Sequence, residues 1–334
     1  MIRQILRRLL WLIPVLISIL FITFLLMKAI PGSPWDAEGG QKALTNARMD
    51  QKTRDALDRR YGLDQPALAQ FSAYIFGRVT PQGELVCGLV CGNLGPSYRQ
   101  RGRMVQDILF QPPAGRPFLE SRFGYSLRLG FYAFLFAILG GVPLGVLAAL
   151  RVNSALDWLL KLLTTLAVSL PSFVVGLLLI MTVGTRWHIV VIIPTSWSAA
   201  DPIVWVIPVV VLGLSTWAAV IRLTRASVLE IISMDYIRTA RAKGLSERLV
   251  IWRHALRNAL IPLLTFSGPA LVELITGSFI IEAMFGFPGI GREYINSVAN
   301  KDYSMIMGLS PVYALIIVFS NLAVELSYQR AVPR

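Results

Sequence analysis

The sequence is poor in charge, histidine and cysteine. Charged residues make up 15% of its 334 residues, against about 25% in soluble domains, and the mean hydropathy is +0.61. These values exclude a disordered chain, and a water-soluble enzyme would have to bury too much of this sequence. Its two histidines, His188 and His254, and two cysteines, Cys87 and Cys91, argue against a four-ligand metal site. The composition indicates an integral membrane protein.

Patterns typical of catalysis are also missing from the sequence. It has no nucleophile and base set, no paired carboxylates and no phosphate-binding loop. We therefore predict a chain that is not an enzyme, with no catalytic residues, no metal and no cofactor of its own.

Six apolar runs are long enough to cross a bilayer, which takes about 20 helical residues. The runs are 9–30, 125–150, 159–185, 203–221, 261–283 and 304–326. Lys and Arg collect in cytoplasmic segments, and 15 of them lie in four segments, against three in the two short loops on the other side. The four segments are 1–8, 151–161, 222–260 and 327–334, and the loops are 186–202 and 284–303. We predict an all-α membrane fold with six spans and both termini in the cytoplasm, so the net charge of +13 requires no nucleic acid.

This topology divides the chain into four predicted parts. They are an N-terminal segment with the first helix (1–30), an extracytoplasmic loop domain (31–124), a five-helix core that contains the cytoplasmic segment 222–260 (125–326), and a cytoplasmic tail (327–334). The loop domain is too long for a simple connector. It forms either an irregular surface loop or a docking surface for an extracytoplasmic partner.

Cys87 and Cys91 lie in this loop domain. Outside the cytoplasm the environment is oxidising, so the two are candidates for a disulfide, although two cysteines four residues apart on one regular helix would be poorly placed for it. Free thiols, or a catalytic or metal role, are the alternatives.

Segment 222–260 reads as helix, break, helix. Ser233 and Ser246 are predicted to cap two helices, and Gly244 is predicted to end the first one. Apolar residues recur at helical spacing on both sides of the break. Tyr236, Ile237 and Ala240 precede Gly244, and Leu245 directly follows it. Leu249, Trp252, Leu256 and Leu260 belong to the second predicted helix. The two helices either lie on the membrane surface or present a knob to a cytoplasmic protein, which Ala240 and Ala242 would allow to approach closely.

Glu273 is a carboxylate in the middle of a predicted span, where it should face a cavity or a partner. It could bind a substrate amine, relay a proton or pair structurally. With Ser172 and Glu282 it forms the set of candidates for a translocation pathway. A proline is predicted to interrupt each of the last five spans, which is common in membrane proteins and also typical of a moving pathway. These are Pro143, Pro171, Pro208, Pro269 and Pro311.

Residues 235–262 (DYIRTARAKGLSERLVIWRHALRNALIP) resemble the cytoplasmic motif of ABC importer permeases, and more closely the dipeptide/oligopeptide/nickel family, B type. The resemblance makes this segment the coupling helix that contacts an ATPase subunit. The implied contact residues are Asp235, Tyr236, Ala240, Ala242, Lys243, Gly244, Leu245 and Arg248.

Three further stretches are similar to signatures of the same family: 60–66 (RYGLDQP), 92–98 (GNLGPSY) and 279–291 (FIIEAMFGFPGIG). Residues 80–91 and 111–120 read like insertions. The first two signatures lie in the loop domain and supply candidates for contact with an extracytoplasmic partner. These are Tyr61, Asp64, Asn93, Tyr98 and Arg99.

The resemblance implies the membrane domain of a type I (MetI-like) ABC importer in the bacterial cytoplasmic membrane. Its partners would be a second related permease, two ATPase subunits that bind ATP and Mg, an extracytoplasmic binding protein and the lipid bilayer. The implied function is ATP-driven uptake of di- or oligopeptides. Alternatives are another solute, such as a nickel chelate or an oligosaccharide, and a self-sufficient carrier that uses Glu273.

Overall fold

The protein is described by a computed structural model. It describes residues 2–30, 34–36, 51–79, 83, 85–100, 102–186 and 203–331, without the side chains of 2–12, 36 and 323–331. His188 and most of the predicted loop 186–202 lie outside the described residues.

The described residues are almost entirely helical. The helices are α1 (Ile2–Ala29), α2 (Gln51–Tyr61), α3 (Ala67–Phe76), α4 (Val105–Phe110), α5 (Arg122–Leu150), α6 (Ala155–Ser169), α7 (Ser172–Leu179), α8 (Ile203–Ile232), α9 (Asp235–Ala242), α10 (Glu247–Leu249), α11 (Leu256–Ala259), α12 (Ile261–Thr276), α13 (Phe279–Met284), α14 (Ile290–Ala299) and α15 (Tyr303–Ala331). Two π-helical turns are Ile180–Arg186 and Val250–Ala255, and three 3-10 turns are Pro34–Asp36, Leu89–Cys91 and Phe118–Glu120. A short antiparallel hairpin pairs β1 (Gly77–Val79) with β2 (Leu85–Cys87).

Within the described residues, four helical stretches are long and apolar enough to cross a membrane, or five if a bent pair counts as one span. They are Arg122–Leu150, Ile203–Ile232, Ile261–Met284, Tyr303–Leu322 and the pair Ala155–Ser169 with Ser172–Thr185. Helix α1, the first predicted span, is 28 residues long, but its side chains are described only from Ile13. The number six remains a prediction.

The run 159–185 is not the single helix that was predicted. It bends by 101° between α6 and α7, because Pro171 has no N–H to continue the helix and forces the residue before it, Leu170, into an extended conformation (φ −92°, ψ 127°). The other four prolines lie inside helices that continue past them. The prediction that all five interrupt their spans is therefore wrong for four of them.

The described chain forms two compact units: Met1–Phe123 with Glu293–Leu315, and Gly124–Arg292 with Ile316–Arg334. In the second unit α5 packs against α8 through glycines, which allow close approach of membrane helices. A Cβ atom on Gly145 would lie 2.8 Å from the Ile221 carbonyl oxygen, and one on Gly213 would lie 2.8 Å from that of Ala133. Larger side chains at these two glycines would force the helices apart.

The second unit also has an aromatic core beside the family stretch 279–291. It consists of Tyr125, Leu129, Ala133, Val204, Trp205, Ile207, Val211, Leu212, Leu274, Ile281, Phe285 and Phe287. In the first unit, a separate cluster joins α1, α3 and α15 through Leu20, Phe24, Met27, Ile75, Ile306 and Met307.

Candidate coupling segment and buried carboxylates

Helix α9 of the candidate coupling segment has one buried face. Ile237 and Ala240 are buried and pack against Val250 and Ala255 of the following π-helical turn. The contact is internal, so Ala240 does not present a small surface to another protein, as the sequence had suggested. Ala242, at the end of α9, is exposed.

The turn after α9 is closed by a glycine and an ion pair. Gly244 has φ +77° and no atom within 4 Å of the position that a Cβ would take, and the helix ends beside it as predicted. The Arg241 Nε and Nη2 atoms lie 2.7 and 3.3 Å from the two Glu247 carboxylate oxygens. Ser246 occupies the N-cap position of α10 but makes no capping hydrogen bond with its side chain, whereas Met234 rather than Ser233 occupies the N-cap position of α9. The capping prediction for Ser233 is therefore wrong, because its hydroxyl donates back to the Glu230 carbonyl at 2.7 Å.

The outer face of the segment combines basic and apolar side chains. Of the implied coupling residues, Asp235, Tyr236, Ala242, Lys243, Gly244 and Arg248 are exposed, Leu245 is half-buried and Ala240 is buried. Met234, Leu249 and Trp252 are also exposed. The predicted apolar stripe fails at Leu249 and Trp252, because the π-helical turn changes the register and buries Val250 and Ala255 instead, whereas Leu256 is half-buried and packs against Val228 and Ala259. The Tyr236 hydroxyl accepts a hydrogen bond from Asn258 Nδ2 at 2.9 Å, which holds the ring of Tyr236 in place.

Glu282, in family stretch 279–291, is fully buried. Its carboxylate accepts hydrogen bonds from the Ser126 and Ser278 hydroxyls, each at 2.6 Å, and from the Arg292 N–H at 2.9 Å. The Ser126 hydroxyl also accepts from the Ile290 N–H at 2.9 Å. The carboxylate therefore joins α5 and α13 to the start of α14, and its described contacts are all within the protein.

Close packing around this carboxylate accounts for the glycines of the stretch. A Cβ atom on Gly291 would lie 2.9 Å from Glu282 Oε2, and Gly286 has φ +66°. Both positions favour glycine, the first because of space and the second because of backbone conformation. The motif thus encodes a turn wrapped around Glu282.

Asp157 is a second fully buried carboxylate, and sequence reasoning missed it. It accepts from Arg225 Nε at 2.7 Å and Nη2 at 3.0 Å, and Lys161 Nζ lies 3.0 Å away. Its own N–H donates to Ser154, the N-cap of α6, at 3.3 Å. A serine three residues before an acidic residue is a local signal of such a helix start. Arg225, 68 residues further along the chain, has no local signal.

Arg128, six residues into α5, is also buried. Its guanidinium carbon lies 4.8 Å from the ring centroid of Tyr125 and 4.9 Å from that of Trp205. The two rings stack on each other with centroids 6.0 Å apart. The negative faces of aromatic rings stabilise a cation at this distance.

Glu273 is exposed on α12, in contrast to Glu282. It lies inside the candidate span Ile261–Met284, and its backbone carbonyl accepts from the Gly277 N–H at 2.7 Å. Ser172 is half-buried at the first residue of α7, directly after the bend. The two residues are therefore the members of the predicted pathway set that have accessible surface.

Two of the predicted outer contact residues lie in an aromatic cluster. The ring centroids of Tyr61 and Tyr98 are 4.9 Å apart, and Trp35 lies 5.5 and 5.7 Å from them. The Trp35 Nε1 atom donates to Asp58 at 2.8 Å. Burial raises the pKa of Tyr98, and the nearby Asp302 carboxylate raises it further. The described contacts of this cluster stabilise the first unit.

Asn93 and Arg99 also make internal contacts. Asn93 Nδ2 donates to the Cys87 carbonyl and its Oδ1 atom accepts from the Gly95 N–H, both at 2.9 Å. Arg99 Nε donates to the Asn300 carbonyl at 2.7 Å. Of the five predicted outer contact residues, Asp64 alone is exposed and the other four are half-buried.

The structure pairs Cys87 with Cys91 in a disulfide. The two residues are not on one helix: Cys87 ends β2 and Cys91 ends a 3-10 turn, which brings their Cα atoms to 5.9 Å. No cluster of three or more His, Cys, Asp or Glu residues that could hold a metal ion occurs in the part of the chain that the structure describes.

Comparison with protein families gives two matches, one at each end of the chain. Residues 141–334 match the family described as binding-protein-dependent transport system inner membrane component. Residues 1–115 match the N-terminal family of the same membrane components.

Curated relatives match over nearly the whole chain. The dipeptide transport system permease DppB of Bacillus subtilis is 36% identical over 313 residues, which cover 94% of this chain and 91% of the relative. The oligopeptide transport system permease OppB of Haemophilus influenzae is 34% identical over 98% of this chain and 97% of its own length. The OppB of Escherichia coli K12 is 36% identical over 93% of this chain and 91% of its own length.

Among solved structures, an inward-facing form of the MetNI methionine ABC transporter matches with a TM-score of 0.52. It is 17% identical and covers 64% of this chain and 95% of the matched chain. At that identity the likeness shows the fold alone, and it agrees with the predicted MetI-like membrane domain.

Proposed function

The chain belongs to the family of binding-protein-dependent transport system inner membrane components, and from this premise we propose that it imports dipeptides or oligopeptides. It is a multi-pass inner-membrane permease subunit of an ABC importer. The printed names of its relatives, dipeptide and oligopeptide permeases, support a peptide as the solute. A nickel chelate or an oligosaccharide is the alternative within the same class.

The proposed assembly contains a second related permease, two ATPase subunits that hydrolyse ATP with Mg, and an extracytoplasmic binding protein. The observation that carries this proposal is the outer face of the coupling segment. Exposed Tyr236, Leu249 and Trp252 lie among Lys243 and Arg248 on a short helix pair with its own buried contact. Apolar side chains rimmed by charge are typical of a protein-binding surface.

Energy released by ATP hydrolysis in a partner needs a mechanical link to the spans. Helix α9 and the π-helical turn pack as one body through Ile237 and Val250, and the segment follows α8 directly. We assign rigid-body transmission to this unit, so that closure of the ATPase pair shifts the spans and switches the pathway.

The coupling assignment is tested by Gly244→Leu. Because no atom lies within 4 Å of the Gly244 Cβ position, the substitution adds bulk on the outside at the cost of a positive φ. If the added leucine side chain costs about 1.4 kcal/mol in the contact with the ATPase subunit, the affinity of that subunit for the permease falls about tenfold. We expect at least that loss of ATP-driven uptake, with unchanged insertion of the chain.

Gly115→Leu is the matched control. Gly115 has φ +76° and also no atom within 4 Å of its Cβ position, so the two variants share the backbone strain and differ in location. Equal uptake by both variants and the wild type would contradict the coupling assignment.

The solute is tested by uptake into membrane vesicles that contain the importer and its binding protein. We expect a labelled tripeptide to accumulate only with ATP, and unlabelled peptides to compete with it. Competition by a nickel chelate or an oligosaccharide, with none by peptides, would replace the solute and leave the importer assignment in place.

For Glu273 we propose a place on the translocation pathway, together with Ser172. A carboxylate exposed on a span cannot be left in lipid, so the surface of α12 around Glu273 faces water or the second permease. We expect Glu273→Gln to raise the KM for peptides with a free amino group more than for N-acetylated peptides. If Glu273→Gln changed the KM for both kinds of peptide equally, Glu273 would be assigned to the contact between the two permeases. Glu282, with no exposed surface, belongs to the scaffold in this proposal.

We propose that both termini lie in the cytoplasm and that the loop domain 31–124 lies outside, where Asp64 is the exposed candidate for contact with the binding protein. Fusion of a reporter that is active only in the cytoplasm to each terminus tests this orientation. Activity at one terminus alone would contradict the even number of spans.

A further inference from the structure

Helix α3 of the loop domain packs against the apolar part of α1. The ring centroid of Phe71 lies 5.2 Å from that of Phe21 and 5.6 Å from that of Phe24. Ile75 is buried in the same cluster as Leu20 and Phe24. Helix α3 therefore lies beside α1 rather than above its end.

The charges of α1 determine the depth of this contact. Between Arg8 and Lys28 the sequence has 19 uncharged residues, which at 1.5 Å per residue cover about 28 Å, close to the ~30 Å of the hydrocarbon layer. Phe24 and Phe21 precede Lys28 by four and seven residues, so they lie about 6 and 10 Å inside that end. Phe71 thus contacts α1 at the depth of the acyl chains.

A second contact gives a similar depth from another helix. The Tyr74 hydroxyl donates to the Met307 carbonyl at 2.9 Å. Met307 is four residues into α15, or about 6 Å from the start of that helix. Helix α3 therefore contacts α1 and α15 at points that lie inside the membrane-spanning part of each helix, several ångströms from its end.

Helix α3, the adjacent hairpin and the turn after it also expose large apolar side chains. Their exposed fractions are Leu68 72%, Phe76 70%, Val79 64%, Leu85 76% and Val90 70%. Helix α3 has no charge, since 13 uncharged residues separate Asp64 from Arg78. Its polar side chains Gln70 and Ser72 donate to the backbone carbonyls of Leu63 and Ala69. An uncharged short helix whose other exposed side chains are apolar is unfavourable in water.

The two described strands of the hairpin separate Arg78 from their apolar face. Val79 pairs directly with Leu85, so their side chains share one face, and Arg78 lies on the other. Arg78 Nη2 donates to the Arg60 carbonyl at 2.7 Å, towards the polar helix α2. The disulfide of Cys87 and Cys91 closes the loop that follows, and Leu89 from that loop packs against the α1 cluster.

We propose that α3, the hairpin and the disulfide-closed loop after it insert into the lipid leaflet at the Lys28 end of α1, with the exposed apolar side chains among the acyl chains. Lipid is the occupant because the contacts with Phe21 and Phe24 place α3 at acyl-chain depth. The same turns of α1 expose Ile22, Leu25 and Leu26, which continues the apolar surface. The loop domain is thus partly a membrane-embedded element and anchors the adjoining polar helix α2 at the surface.

The test is spin labelling of the full chain in lipid nanodiscs. Leu68→Cys, Phe76→Cys and Leu85→Cys are each labelled with a nitroxide, and collisions are measured with oxygen, which partitions into lipid, and with a water-soluble nickel chelate. Ile22→Cys on α1 is the lipid-facing reference. Ala56→Cys is the aqueous reference, because Ala56 is exposed on α2 of the same loop domain.

We expect the oxygen-to-nickel collision ratio at the three test positions to match Ile22→Cys and to exceed that of Ala56→Cys several-fold. The disulfide keeps the native cysteines from reacting, and labelling of the unsubstituted chain checks this. Ratios equal to that of Ala56→Cys would overturn the proposal. Protection from both reagents would also overturn it, since a second permease or the binding protein would then cover the surface.

Discussion

Glu282 and Asp157 are both fully buried carboxylates of the second unit, but their neighbours differ. Glu282 is held by two serine hydroxyls and a backbone N–H, all neutral donors. Asp157 is held by Arg225 and Lys161, whose side chains are 22% and 41% exposed, and by the Asn153 N–H at 3.0 Å. One carboxylate therefore depends on neutral dipoles alone, and the other mainly on cations that still reach water.

The difference matters when the carboxylate is removed. Neutral donors that lose a buried acceptor have no access to water and keep the full desolvation penalty. Arg225 and Lys161 can turn towards water, which reduces their loss. The two sites should therefore respond unequally to the same substitution, and the variants below are ordered from the largest expected effect to the smallest.

Glu282→Ala should give the largest loss. It leaves the Arg292 N–H and two hydroxyls without an acceptor, each at about 1–3 kcal/mol, and it opens a cavity. We expect about 3–5 kcal/mol less stability, measured as a lower melting temperature of the chain in detergent. Glu282→Gln, which keeps the shape and one acceptor oxygen, should fall between this variant and the wild type.

Asp157→Ala should cost less, about 1.5–3 kcal/mol, because it removes charge-assisted hydrogen bonds whose donors can be hydrated. Melting of the double variant Asp157→Leu with Arg225→Met is the sharper measurement. Replacing a buried ion pair with apolar groups of similar size is often neutral, so the double variant should be more stable than Asp157→Ala. An equal or greater loss would mean that the pair itself carries the stability.

Ser126→Ala should cost about 1–2 kcal/mol. It removes one donor to Glu282 and leaves the Ile290 N–H, which Ser126 accepts at 2.9 Å, without its partner. Ser278→Ala is the control, because Ser278 donates to the same oxygen but no backbone N–H depends on it among the described contacts. A melting temperature lower in Ser278→Ala than in Ser126→Ala would contradict this account.

Arg241→Ala should have the smallest effect. The Arg241 and Glu247 side chains are 39% and 60% exposed, and exposed ion pairs contribute about 0–1 kcal/mol. We expect an unchanged melting temperature. A loss of stability comparable to that of Asp157→Ala would show that the exposure of an ion pair does not determine its contribution to stability in this protein.

The coupling segment shows how far the sequence could lead. Helix, break and helix followed from Gly244 and the apolar spacing, because these are local properties. The buried partner of α9 did not follow, since a π-helical turn changes which residues face inward and period counting assumes a regular helix. Ala240 is small because Val250 and Ala255 pack against that face of α9.

The carboxylates show the other limit. From the sequence, Glu273 in the middle of a predicted span looks costlier than Glu282 near the end of the same span, yet Glu282 is the buried one. Burial depends on which face of a helix meets another element. The donors to Glu282 come from α5 and α14 as well as its own helix, and Arg225 reaches Asp157 from 68 residues away. Such pairings depend on the assembled fold, whereas the family stretch 279–291 could be identified without knowing that it wraps a carboxylate.

The bend at Pro171 has a consequence for the order in which the protein is made. Both halves of the bent pair pack against α8, α6 through Leu160 on Ile221 and α7 through Gly176 on Val211. Since synthesis proceeds from the N-terminus, α6 and α7 leave the ribosome before that support exists. The nascent α6 and α7 must therefore stay in the membrane without their packing partner until α8 follows. The final angle between α6 and α7 is reached only after α8 has been inserted.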